Sequence, residues 1–372
     1  MSSLALGACG GDDGAADSEA GAAATTAEPA AKAPGVEAAT KAIAPLEDAP
    51  SPIPVEEPLK TKPTGKHFVY VQCAVPECAF VGQYTKEAAE ELGAKVTIIE
   101  GGGTAESIGK AFNSALQLKP DVLIENGIDP VLWRSQLAKA KAMKIPVVAQ
   151  TTPVKAGAGD GISWGIDTPA TWTHVGQLMA DWVVSKSDGK ANTVLFWPPQ
   201  IAVFKFFADG FQAELADKCP DCKIDVETVP GGDIGTPRLP NRVVSYLQAN
   251  PDTKYVTMAF GSMAIGLPQA LAAAGLTDKV TLISEAGGPI NFQYIKAGQQ
   301  TMDLAQDLRV QAWTGVDAAA RLATGQKTTL VDPLPPIRFL TKDNITFDPE
   351  GGFTAYPDYK DHFRKQWGIT GS

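Results

Sequence analysis

The sequence predicts an α/β protein made of two similar doubly wound lobes, each a parallel sheet wrapped by helices. Short apolar runs alternate with helix-length amphipathic stretches along most of the chain after Gly65. That alternation builds βαβ units, whose strands lie parallel. The strands also outnumber what one compact sheet holds, so the succession divides into two.

The elements follow in order. His67–Gln72 is a short apolar strand, and 79–92 has helical spacing that stops at Gly93, a natural residue to follow a helix. Strand 95–100, helix 104–118 and the buried strand 122–125 come next. Helix 131–143 leads into strand 146–150. Helix 171–185, strand 193–196, helix 204–218 and strand 223–229 open the second half. Helix 239–249, strand 255–259, a continuous helix 263–274, strand 280–284, helix 290–297 and strand 301–304 complete it. A last helix spans 310–323.

Charge is unevenly placed. The net charge is −10, and residues 10–65 hold ten acidic side chains against four lysines. The remaining −4 is spread over the rest of the chain. An acidic chain of this kind lacks the basic face that replaces phosphate counterions, which argues against nucleic-acid binding. No window approaches the roughly 18 apolar residues of a spanning helix. From Gly10 to Gly65 there is no aromatic residue, and prolines cluster toward the end. Residues 10–65 therefore read as a disordered, Pro-stiffened tether.

Ahead of the tether stands Leu6-Gly7-Ala8-Cys9. It resembles the lipobox of bacterial lipoproteins, whose cysteine thiol takes a diacylglycerol. Only eight residues precede Cys9 and none is basic, so either the start lies upstream of Met1 or the match is incidental. The tether behind it favours lipidation at Cys9.

The other four cysteines fall in two local pairs, Cys73/Cys78 and Cys219/Cys222. The Cys-x-x-Cys of 219–222 fits a redox motif, half a zinc site or a small structural disulfide. A second Cys-x-x-Cys is missing, and the motif follows a helix rather than opening one, where a dipole would lower the thiol pKa. A structural disulfide is the expectation. Cys73 and Cys78 are either a second disulfide or two buried thiols. His67, His174 and His362 lie far apart, so no histidine-built metal site is expected.

Ligands of open parallel sheets bind beyond the carboxyl ends of the strands. Those ends read Gln72-Cys73-Ala74-Val75-Pro76-Glu77, Glu125-Asn126-Gly127, Gln150-Thr151, Trp197-Pro198, Phe260-Gly261-Ser262 and Ala286-Gly287-Gly288. They contain no P-loop lysine, and the glycines at 101–103 lack the Gly-Lys-Ser/Thr ending of a phosphate cradle. Nor is there a Gly-x-Ser-x-Gly elbow. No catalytic residue, cofactor or metal is expected.

From about Lys66 to Lys327 the chain resembles the sugar-type, ribose-binding-protein-like periplasmic binding proteins of ABC importers. The resemblance rests on Glu90-Glu91-Leu92-Gly93, Lys119-Pro120-Asp121-Val122, Ile145-Pro146-Val147-Val148 and Gly165-Ile166-Asp167. Further along it rests on Ala249-Asn250-Pro251-Asp252, Met263-Ala264-Ile265-Gly266 and Ala305-Gln306, in that order and spacing. It implies a type I periplasmic binding protein, two lobes joined by a three-stranded hinge. The first lobe would take 66–167 with 307–335, the second 168–306 with 336–372.

The resemblance also implies ligand positions. Asn126 and Gln306 match retained amides. Glu77 and Cys78 replace paired stacking aromatics, unless Phe80 substitutes, and Gln150 and Thr151 replace an Asp–Arg pair. In the second lobe Lys205, Ile234, Phe260 and Ala286 stand for an arginine, an aromatic, an asparagine and an aspartate, with Trp197 and Phe204 nearby. Charged contacts to hydroxyls have given way to neutral or apolar groups, so a less hydroxylated or partly aromatic solute fits better than a simple pentose. Lys205 either faces inward and pairs with an anionic solute or sits on the surface, with Phe204, Phe206 and Phe207 in the core.

The implied function is capture of a small solute and delivery to an ABC permease, by a monomer lipid-anchored in the cell envelope or periplasm. A receptor subunit for a membrane sensor is the alternative. A repressor would need a basic helix-turn-helix where the acidic segment stands, and an enzyme would need a catalytic constellation.

Overall fold

The computed structural model describes residues 33–155, 157 and 161–369; Cys9 lies outside them. The first element of the described residues is helix α1 (Pro34–Asp48). The first sheet is built from β1 (His67–Gln72), α2 (Pro76–Glu91), β2 (Lys95–Glu100), α3 (Ala105–Gln117), β3 (Val122–Asn126), α4 (Arg134–Ala142), β4 (Val147–Gln150) and β5 (Trp164–Ile166). After α5 (Pro169–Lys186) the second sheet runs β6 (Asn192–Trp197), α6 (Val203–Lys218), β7 (Lys223–Thr228), α7 (Arg238–Ala249), β8 (Tyr255–Met258), α8 (Leu267–Ala273), β9 (Thr281–Glu285), α9 (Pro289–Lys296) and β10 (Met302–Gln306). The chain ends with α10 (Leu308–Ala323), β11 (Ile337–Thr341) and α11 (Tyr359–Gln366).

Both sheets have the doubly wound order. The first is β2-β1-β3-β4-β5, all parallel; the second is β11-β10-β9-β8-β6-β7, parallel except for β11, which runs antiparallel to β10. Strands covered on both faces must be apolar throughout. In β1, Phe68 and Tyr70 pack toward one helical layer while Val69 and Val71 pack toward the other. In the second lobe α5 and α6 cross at two glycines. A Cβ on Gly176 would lie 2.2 Å from the carbonyl oxygen of Phe207, and one on Gly210 2.3 Å from that of Thr173. Only hydrogen at both positions lets the two backbones approach so closely.

The tether expectation fails for residues 34–65. Val36, Ala39 and Ile43 lie on one face of α1 and are buried in the core of the second lobe. Thr40 Oγ1 meets Ser185 Oγ at 2.8 Å, and Lys186 pairs with Glu47 at 2.7 Å. The Ser51 amide donates to the Ile337 carbonyl of β11 at 3.0 Å. The segment then crosses to the first lobe, where the buried Glu56 carboxylate accepts from the amides of Thr329 and Leu330. An Ala-rich helix with three buried side chains has too little apolar surface to order itself. It orders because α5 and α6 present the complementary face.

The C-terminal segment also departs from the expected division. β11 and the buried Ile345 and Phe353 pack on the second lobe. Tyr359, Phe363 and Trp367 return to the first, where Trp367 stacks on Trp313 of α10 with centroids 5.1 Å apart. Trp367 Nε1 donates to Asp317 at 2.8 Å. Two expected helices are also broken. Residues 130–133 form a 3-10 turn before α4, and residues 261–264 form another before α8, separated by Gly266 at φ +78°. The short strands β5 and β11 had no sequence expectation.

Candidate functional site in the cleft between the lobes

The carboxyl ends of the two sheets face each other, and side chains bond across the gap. Pro76 starts α2 and places Glu77 in its first turn. Across the cleft, Ser262 lies in the 3-10 turn after β8, and its Oγ donates to Glu77 Oε1. At the hinge, Gln306 Nε2 at the end of β10 donates to Asp167 Oδ1 at 3.0 Å. Thr151 Oγ1 donates to Asp167 Oδ2 at 3.1 Å and itself accepts from Gln311 Nε2 at 3.1 Å. Thr151 has φ +52°, in the left-handed region, so this hinge contact holds it in a strained backbone.

Both local cysteine pairs are bonded. Cys219–Cys222 closes the corner between α6 and β7. Cys73–Cys78 closes the turn from β1 into α2, with Cα atoms 5.6 Å apart. It therefore pins the short segment that presents Glu77. Beneath it, Asn126 Nδ2 donates to Tyr70 Oη at 3.1 Å, and Tyr70 Oη donates to the Cys78 carbonyl at 2.9 Å. Phe80, one turn further, lies against Tyr84 and the Arg309 guanidinium.

The second lobe contributes an aromatic wall. Phe260 is buried and stacks on Phe204 with ring centroids 5.0 Å apart and 6° between planes. Trp172 meets Phe204 edge-on, also at 5.0 Å. Trp197 is half-buried at the end of β6, and its Nε1 is buried without a partner. Ile234 packs half-buried against the second core. Phe204 and Phe207 are core side chains; Phe206 is half-buried.

Three expected positions do not present their side chains to the cleft as solute contacts, and of the two readings of Lys205 the surface one holds. Lys205 points outward; its side chain is 60 % exposed and Nζ bonds Asp209 one turn along α6 at 2.5 Å. Residue 205 lies on the solvent side of an amphipathic helix whose buried stripe is Val203, Phe204, Phe207 and Phe211, so it is no anion site. Gln150 is fully buried with neither amide atom bonded, and it packs under α10, where a Cβ on Gly315 would lie 2.4 Å from its Nε2. Ala286 adopts φ +44° and its amide donates to the Leu304 carbonyl, leaving a backbone turn where a side-chain contact was expected.

The structure adds acids that the sequence reading missed. Asp167 follows β5, Glu285 ends β9, and Asp303, second in β10, stands beside Ser284 of β9; all three are buried. Burial pushes the Asp167 carboxyl up to about 6 despite its bonds from Gln306 and Thr151. Burial likewise pushes Asp303 up to about 6, against donations from Ser284 Oγ and the Gly287 amide. Glu285 is raised well above the usual carboxylate range, first by burial and then by Asp303, Asp167 and Glu77. Glu77 is raised by burial and partly brought back by Ser262. A signal was present in the sequence: Glu285 ends a short strand with Leu282 and Ile283 at its centre, one residue before Ala286.

A model of the periplasmic binding protein domain matches residues 78–327. The D-allose-binding periplasmic protein of Escherichia coli is 31% identical over 100 residues, 27% of this chain and 32% of that protein, so the match spans about a third of that relative. A solute-binding protein from Burkholderia graminis, solved with D-arabinose, superposes with TM-score 0.68 at 18% identity, over 77% of this chain and 99% of that one. One from Actinobacillus succinogenes, solved with D-allose, gives 0.64 at 20% identity, over 75% and 98%. The glucose-galactose binding protein of Geobacillus stearothermophilus gives 0.66 at 18%, over 76% and 99%. These structures share the fold. With a domain match covering well over half its length and a cleft framed by two doubly wound lobes, the chain belongs to the periplasmic binding protein domain family.

Proposed function

We propose that this protein captures a small sugar-like solute between its two lobes and hands it to an ABC importer, with no catalytic step. The observation that carries the reading is the pair of contacts across the cleft, Glu77 to Ser262 and Asp167 to Gln306, beside buried acceptors that lack partners. Groups from both lobes that meet in one place select the closed form when a solute bridges them. Asn126, Glu77, Glu285, Phe260 and Trp197 are the proposed contacts; Gln306 and Thr151 brace the hinge through Asp167. Relatives that hold D-allose and D-arabinose support a polar ring as the solute.

The reading is tested by calorimetry against sugars, sugar alcohols and amino sugars, paired with small-angle scattering. A binder should reduce the radius of gyration from an open to a closed value. A full screen with no binder and no compaction overturns the proposal.

Delivery from the outer face of a membrane through a lipid on Cys9, as a monomer, belongs to the same proposal. Cys9→Ser in the full precursor should release the protein from membranes into the soluble fraction. Unchanged membrane association would remove the anchor.

A further inference from the structure

Two carboxyl groups in the cleft each keep a buried oxygen that the fold does not use. Glu285 ends β9, is 2 % exposed, and has no hydrogen-bond donor; its Oε1 is buried without a partner. Glu77 Oε2 is likewise buried and unmet, its other oxygen being held by Ser262. In the parallel pairing of β9 with β10, Glu285 stands beside Leu304, so both leave the same face of the sheet. Gln306 leaves that face two residues on, and it reaches Asp167 of the other lobe. Glu285 therefore stands on the hinge side of the cleft.

The two acids flank one loop contact. A Cβ on Gly261 would lie 2.5 Å from the Cα of Gly287, so the loops after β8 and β9 touch. Ser262, next to Gly261, bonds Glu77; Gly287 lies two residues beyond Glu285. Phe260, on the other side of Gly261, stacks its ring on Phe204.

No buried base of the described residues balances these acids. The buried basic side chains are Arg309 and Arg321. Arg309 donates to the carbonyls of Phe353 and Gly351, and Arg321 is paired with Asp317. Lys205 faces away. Carboxyl groups taken out of water need a countercharge and donors; no buried base of the described residues supplies the charge, and of the two acids only Glu77 receives a donor, from Ser262.

We propose that the solute carries a protonated amine on a sugar-like frame, with the ammonium seated between Glu77 and Glu285 and the ring against Phe260. The inference rests on the solute-capture reading and narrows it to amino sugars. An ammonium brings three donors, no acceptor and the missing charge, whereas a hydroxyl brings one donor and leaves the charge uncompensated. An aromatic face beside the seat further favours a cation.

Calorimetry on the full chain with D-glucosamine against D-glucose, D-galactosamine against D-galactose, and D-allose tests this. At least one amino sugar should bind about tenfold or more tightly than its hydroxyl twin. Glu285→Gln, which keeps the shape and removes the charge, should cut that preference to below about threefold, and Glu285→Asp should retain part of it. The thermal midpoint of each variant reports whether it is folded. A neutral sugar that binds as tightly as its amino twin overturns the proposal, as does a preference unchanged in folded Glu285→Gln and Glu77→Gln. Silent amino sugars with D-allose bound overturn the amine and leave solute capture standing. Silence of all five overturns the amine, and solute capture falls with it only when the full screen also finds no binder and no compaction.

Discussion

Ser262 Oγ donates to Glu77 Oε1 across the mouth of the cleft, joining the first turn of α2 in one lobe to the turn after β8 in the other. The two residues are far apart in sequence and belong to separately cored lobes. The bond spans the cleft, so separating the lobes there must break it. It is thus a latch whose strength sets part of the balance between open and closed forms.

Ser262→Ala should shift the ligand-free protein toward the open form. A hydrogen bond to a carboxyl group contributes about 1.5–3 kcal/mol when both partners are buried, so the open-to-closed ratio should rise about tenfold or more. Small-angle scattering of the free protein checks it. An unchanged radius of gyration would show that the latch carries no weight.

Ile43→Ala tests the docking of α1. Ile43 is fully buried against the second lobe, and truncating such a side chain costs about 2–4 kcal/mol. Urea denaturation should show that loss. A change below about 0.5 kcal/mol, the usual range for surface sites, would mean that the segment is not packed as described.

Asp303→Asn tests the buried acids through pH. The folded carboxyl titrates near 6, above the ordinary value of about 3.9, so the folded state binds more protons between those values. Its contribution to stability is therefore highest at low pH, declines as pH rises from about 4 to about 6, and is flat above. The amide can keep the bonds to Gly287 and Ser284. Stability curves measured from pH 4 to 7 should show a shallower decline in the variant than in the parent; identical slopes would contradict the assignment.

The four cysteines of the described residues should give no reaction with a thiol reagent in denaturant without reductant. Breaking Cys219–Cys222 with paired serines should cost about 2 kcal/mol, the chain-entropy value for so short a loop. Two or more free thiols in the folded region would contradict the bonding.

Lys205→Ala should leave solute affinity within about twofold, because an exposed pair one turn apart on a helix contributes only about 0.3–0.5 kcal/mol and lies outside the cleft. A tenfold loss would return Lys205 to the site.

The lobes, their parallel sheets and most helix boundaries were legible in the sequence because they rest on local patterns. Apolar strands such as Val122–Glu125 declare burial on both faces, and Gly93 marks where α2 must end. Both disulfides lie within six residues of chain, a separation at which spacing alone limits the choices. The rest depended on surfaces that meet only after folding. α1 carries three modest apolar side chains, and nothing in its own composition reveals that α5 and α6 offer them a groove. α11 returns to the first lobe because Trp313 and Trp367 stack, a contact between residues 54 positions apart. The side of α6 on which Lys205 lies was open until the core chose Val203, Phe204 and Phe207. Glu285 looked like the end of a strand until Glu77, Asp167 and Asp303 converged around it. Strand and helix are written in neighbouring residues; burial, pairing and the charge of a cleft are properties of residues that the chain brings together from afar.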